Sequence, residues 1–146
     1  MNKKVFLFFA SLFATFALLS QEITFRCEAP KVVGLNERFK VSFTINASNP
    51  QNFVAPTFQN VNILGGPSTS RSSSVSIING KRTDNSSTSF VFFLQSLTTG
   101  KIIIPSARVK VDGKLYTTKP VTITVEDNPS MAQRSQNSRS NNRNTQ

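Results

Sequence analysis

The chain has 146 residues, a formal net charge of +10, one cysteine, and neither histidine nor tryptophan. This composition excludes an internal disulfide, and it excludes catalysis by a Ser–His or Cys–His pair because no imidazole is present. Without histidine, and with a single cysteine, the usual ligands of transition metals are missing as well, so we expect neither a metal site nor a cofactor.

The amino terminus has the pattern of a secretory signal peptide. Two lysines at positions 3 and 4 precede an apolar run over residues 5–19, and the chain becomes polar at Ser20. This run is shorter than the roughly 18 apolar residues that cross a bilayer as a helix. We therefore predict a signal peptide over residues 1–20, cleavage after Ser20 and a periplasmic mature protein. An uncleaved amino-terminal anchor is the alternative.

Alternating apolar residues predict the first strands of the mature chain. Cys27 alternates with Ile23 and Phe25, which places the three on one face of a strand and predicts a buried, unreactive cysteine. A short second strand is predicted over residues 31–33. Strict alternation follows over residues 39–45. There the predicted core positions are Phe39, Val41, Phe43 and Ile45, and the predicted water-facing positions are Lys40, Ser42 and Thr44.

Residues 52–81 form the most informative segment of the chain. Residues 61–64 and 74–78 have strand character, and a Gly-Gly-Pro break with a serine-rich segment separates them. We interpret the serine-rich segment as an exposed connection, because Ser, Thr and Gly tolerate irregular backbone. The polar, basic stretch 79–85 then predicts the tip of a long hairpin whose second strand covers residues 88–95.

Two further patterns place strands in the second half of the chain. Residues 90–94 are apolar at every position, which predicts a central strand of a two-layer fold. Residues 101–104 form a strand that ends before Pro105, and this proline predicts a strand break or a sheet edge because it cannot donate to a ladder.

A two-residue turn organises the carboxy-terminal hairpin. Residues 108–111 and 115–117 are joined by Asp112-Gly113, a strong hairpin signal. In this register Val109 lies opposite Tyr116, with the larger side chains on one face of the pair.

The complete pattern, with a last alternating strand over residues 121–125, predicts the fold class. It is an all-β, immunoglobulin-like antiparallel β-sandwich of about 7–9 short strands over residues 21–127. A barrel is the alternative, since strand patterns alone separate the two poorly. Residues 128–146 are rich in Ser, Asn, Gln and Arg, and we predict a disordered polar, basic tail because so few apolar side chains cannot offset the entropy of ordering.

At these residues the chain resembles the amino-terminal module of the BatD family, the oxygen-tolerance proteins of the Bacteroides aerotolerance operon. The resemblance spans about residues 23–125 and is carried by residues 29–33, 39–46, 55–58, 66–70, 72–74, 79–81, 109–116 and 120–123. Two departures stand beside it. Residues 103–107 read Ile-Ile-Pro-Ser-Ala where the family tends to have aromatic residues and Gly-Pro-Ala, and family members continue to a carboxy-terminal membrane anchor. We therefore expect a shortened or truncated relative.

The resemblance implies a non-enzymatic envelope module with a role in aerotolerance or envelope stress. It implies contacts in a periplasm-facing complex, with von Willebrand A-domain proteins and a MoxR-type ATPase system as partners, and it brings no catalytic residues. The residues themselves agree, since their scattered acids give no general acid–base pair. A carbohydrate-binding or surface-adhesion β-sandwich is the alternative function.

Candidate partner-binding residues lie in the serine-rich segment, beside it and at the hairpin tip. They are Phe53, Phe58, Ser68, Ser70, Ser72, Lys81 and Arg82. Loops concentrate binding sites, and an exposed edge accepts a partner strand. The basic tip suits an anionic surface such as phospholipid or nucleic acid. Export argues against nucleic acid, and solvated charge that keeps edges apart is the simpler role of the tip.

Overall fold

The computed structural model describes residues 21–127, which contain ten strands and no helix. The predicted signal peptide, residues 1–20, and the predicted tail, residues 128–146, lie outside the described residues. In chain order the strands are β1 (Phe25–Glu28), β2 (Val32–Gly34), β3 (Arg38–Ile45), β4 (Gln51–Val54), β5 (Val61–Ile78), β6 (Lys81–Ser96), β7 (Gly100–Ile104), β8 (Arg108–Val111), β9 (Lys114–Thr117) and β10 (Val121–Glu126).

The strands form one sheet of four and two sheets of three. The larger sheet has the order β1-β3-β6-β5, and the smaller ones have the orders β2-β10-β7 and β4-β8-β9. All these pairs are antiparallel except β2 with β10, which is parallel. The prediction of an all-β sandwich is confirmed. The prediction that every strand pair is antiparallel is wrong for β2 and β10, because the alternation of residues within a strand carries no information on the direction of the neighbouring strand.

A single hydrophobic core lies between the four-stranded sheet and the two smaller sheets. The inner face of β3 supplies the four predicted core residues, all buried. Strand β6 adds alternate residues from its apolar run, and its place between β3 and β5 confirms the predicted central strand. The rest of the core includes Val33, Ile102, Ile104, Ala107, Val109, Val111, Ile123 and Val125. Burial of each large aliphatic or aromatic side chain contributes about 1.5–3 kcal/mol.

Ser42 is a correction to the predicted alternation of β3. The sequence predicts that it faces water, yet only 8% of the residue is exposed. β3 is an inner strand, and Ser42 lies between Glu28 of β1 and Val91 of β6 on the outer face of the sheet. A short side chain between longer neighbours is covered by them, which the period of two in one strand does not reveal.

Buried hydroxyl groups form hydrogen bonds between segments that are distant in sequence. Ser96 Oγ donates to the carbonyl oxygen of Gly34 at 2.7 Å, and Thr88 Oγ1 donates to that of Ala47 at 2.8 Å. The backbone N–H of Ala107 donates to Thr118 Oγ1 at 2.9 Å. Such bonds contribute about 0.5–1.5 kcal/mol each, and a larger penalty follows when one partner is removed.

The turn predictions of the carboxy-terminal half are confirmed. Val109 pairs with Tyr116, and the connecting residues Asp112 and Gly113 have φ angles of 50° and 77°. Two consecutive positive φ values give the tight turn whose twist matches that of the flanking strands. Pro105 directly follows β7, which is an edge strand of its sheet.

Candidate functional site

The hairpin of β5 and β6 dominates one end of the domain and differs from its sequence-based prediction. β5 is one strand of 18 residues that includes the whole serine-rich segment, so the prediction of an exposed connection there is wrong. The ladder with β6 runs regularly from Ser68 to Ile78 and closes at the Asn79-Gly80 turn. Serine is an indifferent strand former, but strand preference depends on context, and a continuous partner strand supplies that context here.

The Gly-Gly-Pro sequence marks an irregularity inside β5. The register with β6 shifts between Ile63 and Gly65 and again between Gly65 and Ser68. Gly66 has a φ of +107°, and a Cβ atom there would lie 2.5 Å from the carbonyl oxygen of Val91. Only glycine fits this position, because L-residues rarely adopt such a φ and the partner backbone leaves no room for a side chain.

The hairpin continues beyond the sheet as a two-stranded ribbon, which we call the arm (residues 72–78 and 81–87). β3 pairs with β6 only as far as Thr88, which lies opposite Ile45. In the part of the chain that the structure describes, no third strand pairs with the arm. Seven residues in each strand give the arm a length of about 20 Å at the usual rise per residue.

One face of β5 carries an unbroken row of serines, which we call the serine row. Its members share the outer face because they alternate along the strand: Ser68, Ser70, Ser72, Ser74 and Ser76. Across the ladder, Ser70 faces Ser89 and Ser72 faces Ser87. Three of the candidate partner-binding residues therefore lie together, in a row and exposed.

The end of the arm, which we call the tip, combines apolar and basic residues. Ile77 and Ile78 are 69% and 68% exposed, and Val75 is 58% exposed. Ile77 pairs with Arg82, and Ile78 pairs with Lys81. Lys81 and Arg82, the two basic residues among the candidate partner-binding residues, therefore belong to the tip. The apolar residues of the tip were not among the candidates predicted from the sequence. The pattern that could have identified them is the alternation of serine with valine and isoleucine over residues 74–78, directly before the Asn-Gly turn.

Phe53 and Phe58 lie away from the serine row and the tip. The ring of Phe53 is parallel to that of Phe90, with 4.0 Å between centroids and 5° between planes. Phe58 meets Phe92 edge-on at 5.2 Å. Both candidates are half-buried and pack against the hydrophobic core. The structure therefore distributes the seven candidates over the serine row, the tip and the margin of the core.

Cys27 has the environment of a packing residue. It lies in β1, half-buried, and packs against the core together with Ile23 and Phe25, as their alternation predicts. Burial raises the pKa of its thiol to about 11, and the negative charge of Glu28 adds to the increase. A thiol with so high a pKa is almost fully protonated near neutral pH and is a poor nucleophile.

Residues 21–127 contain no group of three or more His, Cys, Asp or Glu side chains placed to hold a metal ion. Over the same residues, no helix has the length and apolar character that a membrane crossing requires.

Comparison with protein families gives one match that covers most of the described domain. The family model for the BatD DUF11 like domain matches residues 28–125, from the end of β1 to within β10. No curated protein matches the sequence.

Proposed function

We propose, from the premise that the chain belongs to the BatD family, that it is a non-enzymatic module of the cell envelope that acts through protein contacts. In this proposal the protein is exported and faces the periplasm. Its role is in aerotolerance or envelope stress, and its partners are von Willebrand A-domain proteins associated with a MoxR-type ATPase system. The family match supports the kind of module, and the properties of one strand edge support the mode of contact.

The free edge of β5 is the observation that carries the proposal. The other strands at sheet edges have between three and five residues, whereas β5 has 18. Its ladder is regular from Ser68 to Ile78, so its outward N–H and C=O groups present an ordered row. A partner strand pairs with such a row through main-chain hydrogen bonds, and side-chain contacts supply the specificity.

The side chains of this edge also permit close approach. Natural proteins usually protect long edges with lysine, proline, bulges or short strands. Between Ser68 and Ile78 the only charged residue is Arg71, there is no proline, and the bulges precede Ser68. The side chains of the serine row are small, so they do not obstruct a partner strand that pairs with the backbone of β5. An edge with these properties is unprotected, which agrees with use by a partner.

Site-specific photo-crosslinking in the native cell tests this proposal. A benzophenone amino acid at Ser72 should give an adduct with a von Willebrand A-domain protein, identified by mass spectrometry of the linked peptides. The matched control is the same probe at Ile103, which is 59% exposed on the short edge strand β7. An absent adduct at Ser72, or an equal yield of the same adduct at Ile103, would show that the β5 edge is not the contact.

One observation supports the alternative function, a carbohydrate-binding or surface-adhesion module. Phe93 is 42% exposed on the outer face of β6, between Lys40 and Gly65, and so offers an exposed aromatic surface. Sugar rings stack on such surfaces, but a single phenylalanine is a small platform. Retention of the full chain on glycan arrays, abolished by Phe93→Ala and unaccompanied by any protein adduct at Ser72, would favour adhesion over the protein-contact proposal.

A further inference from the structure

The tip of the arm is apolar on both of its faces. Side chains alternate between faces along a strand, so Ile77 and Ile78 point to opposite sides of the ribbon. Both are more than two-thirds exposed, and Val75 shares the face of Ile77. A flat protein partner would cover only one face of the ribbon. Exposed apolar side chains on both faces suit insertion into an apolar medium that surrounds the tip.

Basic residues lie at the level of these isoleucines. Lys81 is opposite Ile78, and Arg82 is opposite Ile77. Their aliphatic stems can pack along apolar surface while the charged ends reach a polar layer above it. Arg82 Nε donates to the carboxylate of Asp84 at 2.9 Å, which offsets one charge, and Arg71 lies just below the arm. The end of the hairpin from Arg71 onward thus keeps an excess of positive charge.

The arm projects from the end at which the chain enters the domain. The side-chain amide of Gln21 donates to Asn85 Oδ1 of the arm at 3.3 Å. The described chain leaves at the other end, where the carbonyl oxygen of Glu126 accepts from the N–H of Leu35, beside the end of β6. The arm and the entry of the described chain at Gln21 therefore lie at the same end of the domain, opposite the end at which Glu126 lies.

We propose that the tip inserts into the surface of an anionic phospholipid bilayer. Ile77, Ile78 and Val75 enter the boundary between headgroups and acyl chains, and Lys81 and Arg82 bind the phosphate layer. The insertion orients the domain with its arm toward the membrane. This inference shares only the predicted export with the proposed function, so lipid binding and protein crosslinking succeed or fail independently.

A single tryptophan at the tip tests the insertion. The chain contains no tryptophan, so the fluorescence of Ile78→Trp reports this position alone. With the predicted mature protein, residues 21–146, and vesicles that contain about one-third phosphatidylglycerol, we expect a blue shift of the emission and quenching by brominated acyl chains. The matched control is Leu97→Trp. Leu97 directly follows β6 at the opposite end of the domain and is 47% exposed, so the emission of this variant should not change when vesicles are added.

The charge dependence tests the anionic partner. In the Ile78→Trp background, Lys81→Glu should weaken vesicle binding by well over five-fold, since each basic residue near an anionic surface contributes about that factor. Vesicles of phosphatidylcholine alone should bind far less, and added salt should release the protein. Equal binding to neutral and anionic vesicles would overturn the assignment to anionic lipid.

Other occupants of the tip give different signals. A blue shift without vesicles that grows with protein concentration would identify a second copy of the chain and overturn the proposal. The same conclusion would follow if vesicles left the emission unchanged and a purified envelope protein shifted it. Quenching by brominated lipid that is equal at positions 78 and 97 would indicate nonspecific adsorption and would also overturn it.

Discussion

Phe53→Ala is the substitution that best distinguishes a structural from a partner-binding role at the core margin. The Phe53 ring stacks on Phe90 at 4.0 Å and makes tilted contacts with Phe43 at 6.0 Å and Phe92 at 6.4 Å. It comes from the four-residue strand β4, whose pairing with β8 is irregular. Without this ring, β4 would lose its main apolar contact with the four-stranded sheet.

The expected loss of stability follows from these contacts. Truncation of a buried phenylalanine to alanine lowers the free energy of unfolding by about 3–5 kcal/mol. A contact between two aromatic rings contributes about 0.5–1.5 kcal/mol beyond the stabilisation from burial of their surface area. Because Phe53 is half-buried, we expect a loss of about 2–4 kcal/mol for Phe53→Ala. In a domain of about 100 residues this lowers Tm by about 10–20 °C.

Thermal and urea unfolding of the full chain, followed by far-ultraviolet circular dichroism, measure this loss. Phe93→Ala is the matched control, because it removes the same ring from the exposed outer face of β6. It should lower the free energy of unfolding by less than about 1 kcal/mol. If Phe53→Ala is no more destabilising than Phe93→Ala yet abolishes capture of a partner, then Phe53 belongs to the contact surface and its assignment to the core is wrong.

Three further substitutions test single interactions through urea unfolding. Gly66→Ala should lower the free energy of unfolding by at least about 2 kcal/mol because of its positive φ and the close partner backbone. Gly65→Ala, with open space around the added methyl, is the control, and an equal loss in both would contradict the bulge geometry. Thr118→Val should lose about 1–3 kcal/mol, since the buried N–H of Ala107 loses its acceptor. Thr118→Ser keeps the hydroxyl and should retain most of the stability; a similar loss would assign the effect to packing. Cys27 binds its proton more tightly in the folded than in the unfolded chain, so its contribution to stability is present below pH 9 and is lost as the pH rises toward 11. The wild type should therefore lose more stability than Cys27→Ala across this range, and parallel losses would refute the raised pKa.

Local patterns determined most of the secondary structure. The alternation of β3, the Asp112-Gly113 turn and the apolar run of β6 each depend on residues adjacent in sequence. Periodicity and turn chemistry act over this range, so these predictions agree with the structure in position, and the prediction for the turn agrees in register as well. The family resemblance was also present in the sequence, and the family match over residues 28–125 confirms it.

Tertiary structure decided where those elements lie and which surfaces they leave free. The serine-rich segment is part of a strand because β6 pairs with it along its length. Ser42 is buried because β3 has a neighbouring strand on each side. Phe53 and Phe58 pack on the core because β4 and the segment that follows it cover the inner face of β6. Each of these outcomes depends on residues distant in sequence, whose proximity local preference does not encode. The same long-range pairing ends at Thr88 and leaves the arm and its apolar tip beyond the sheet.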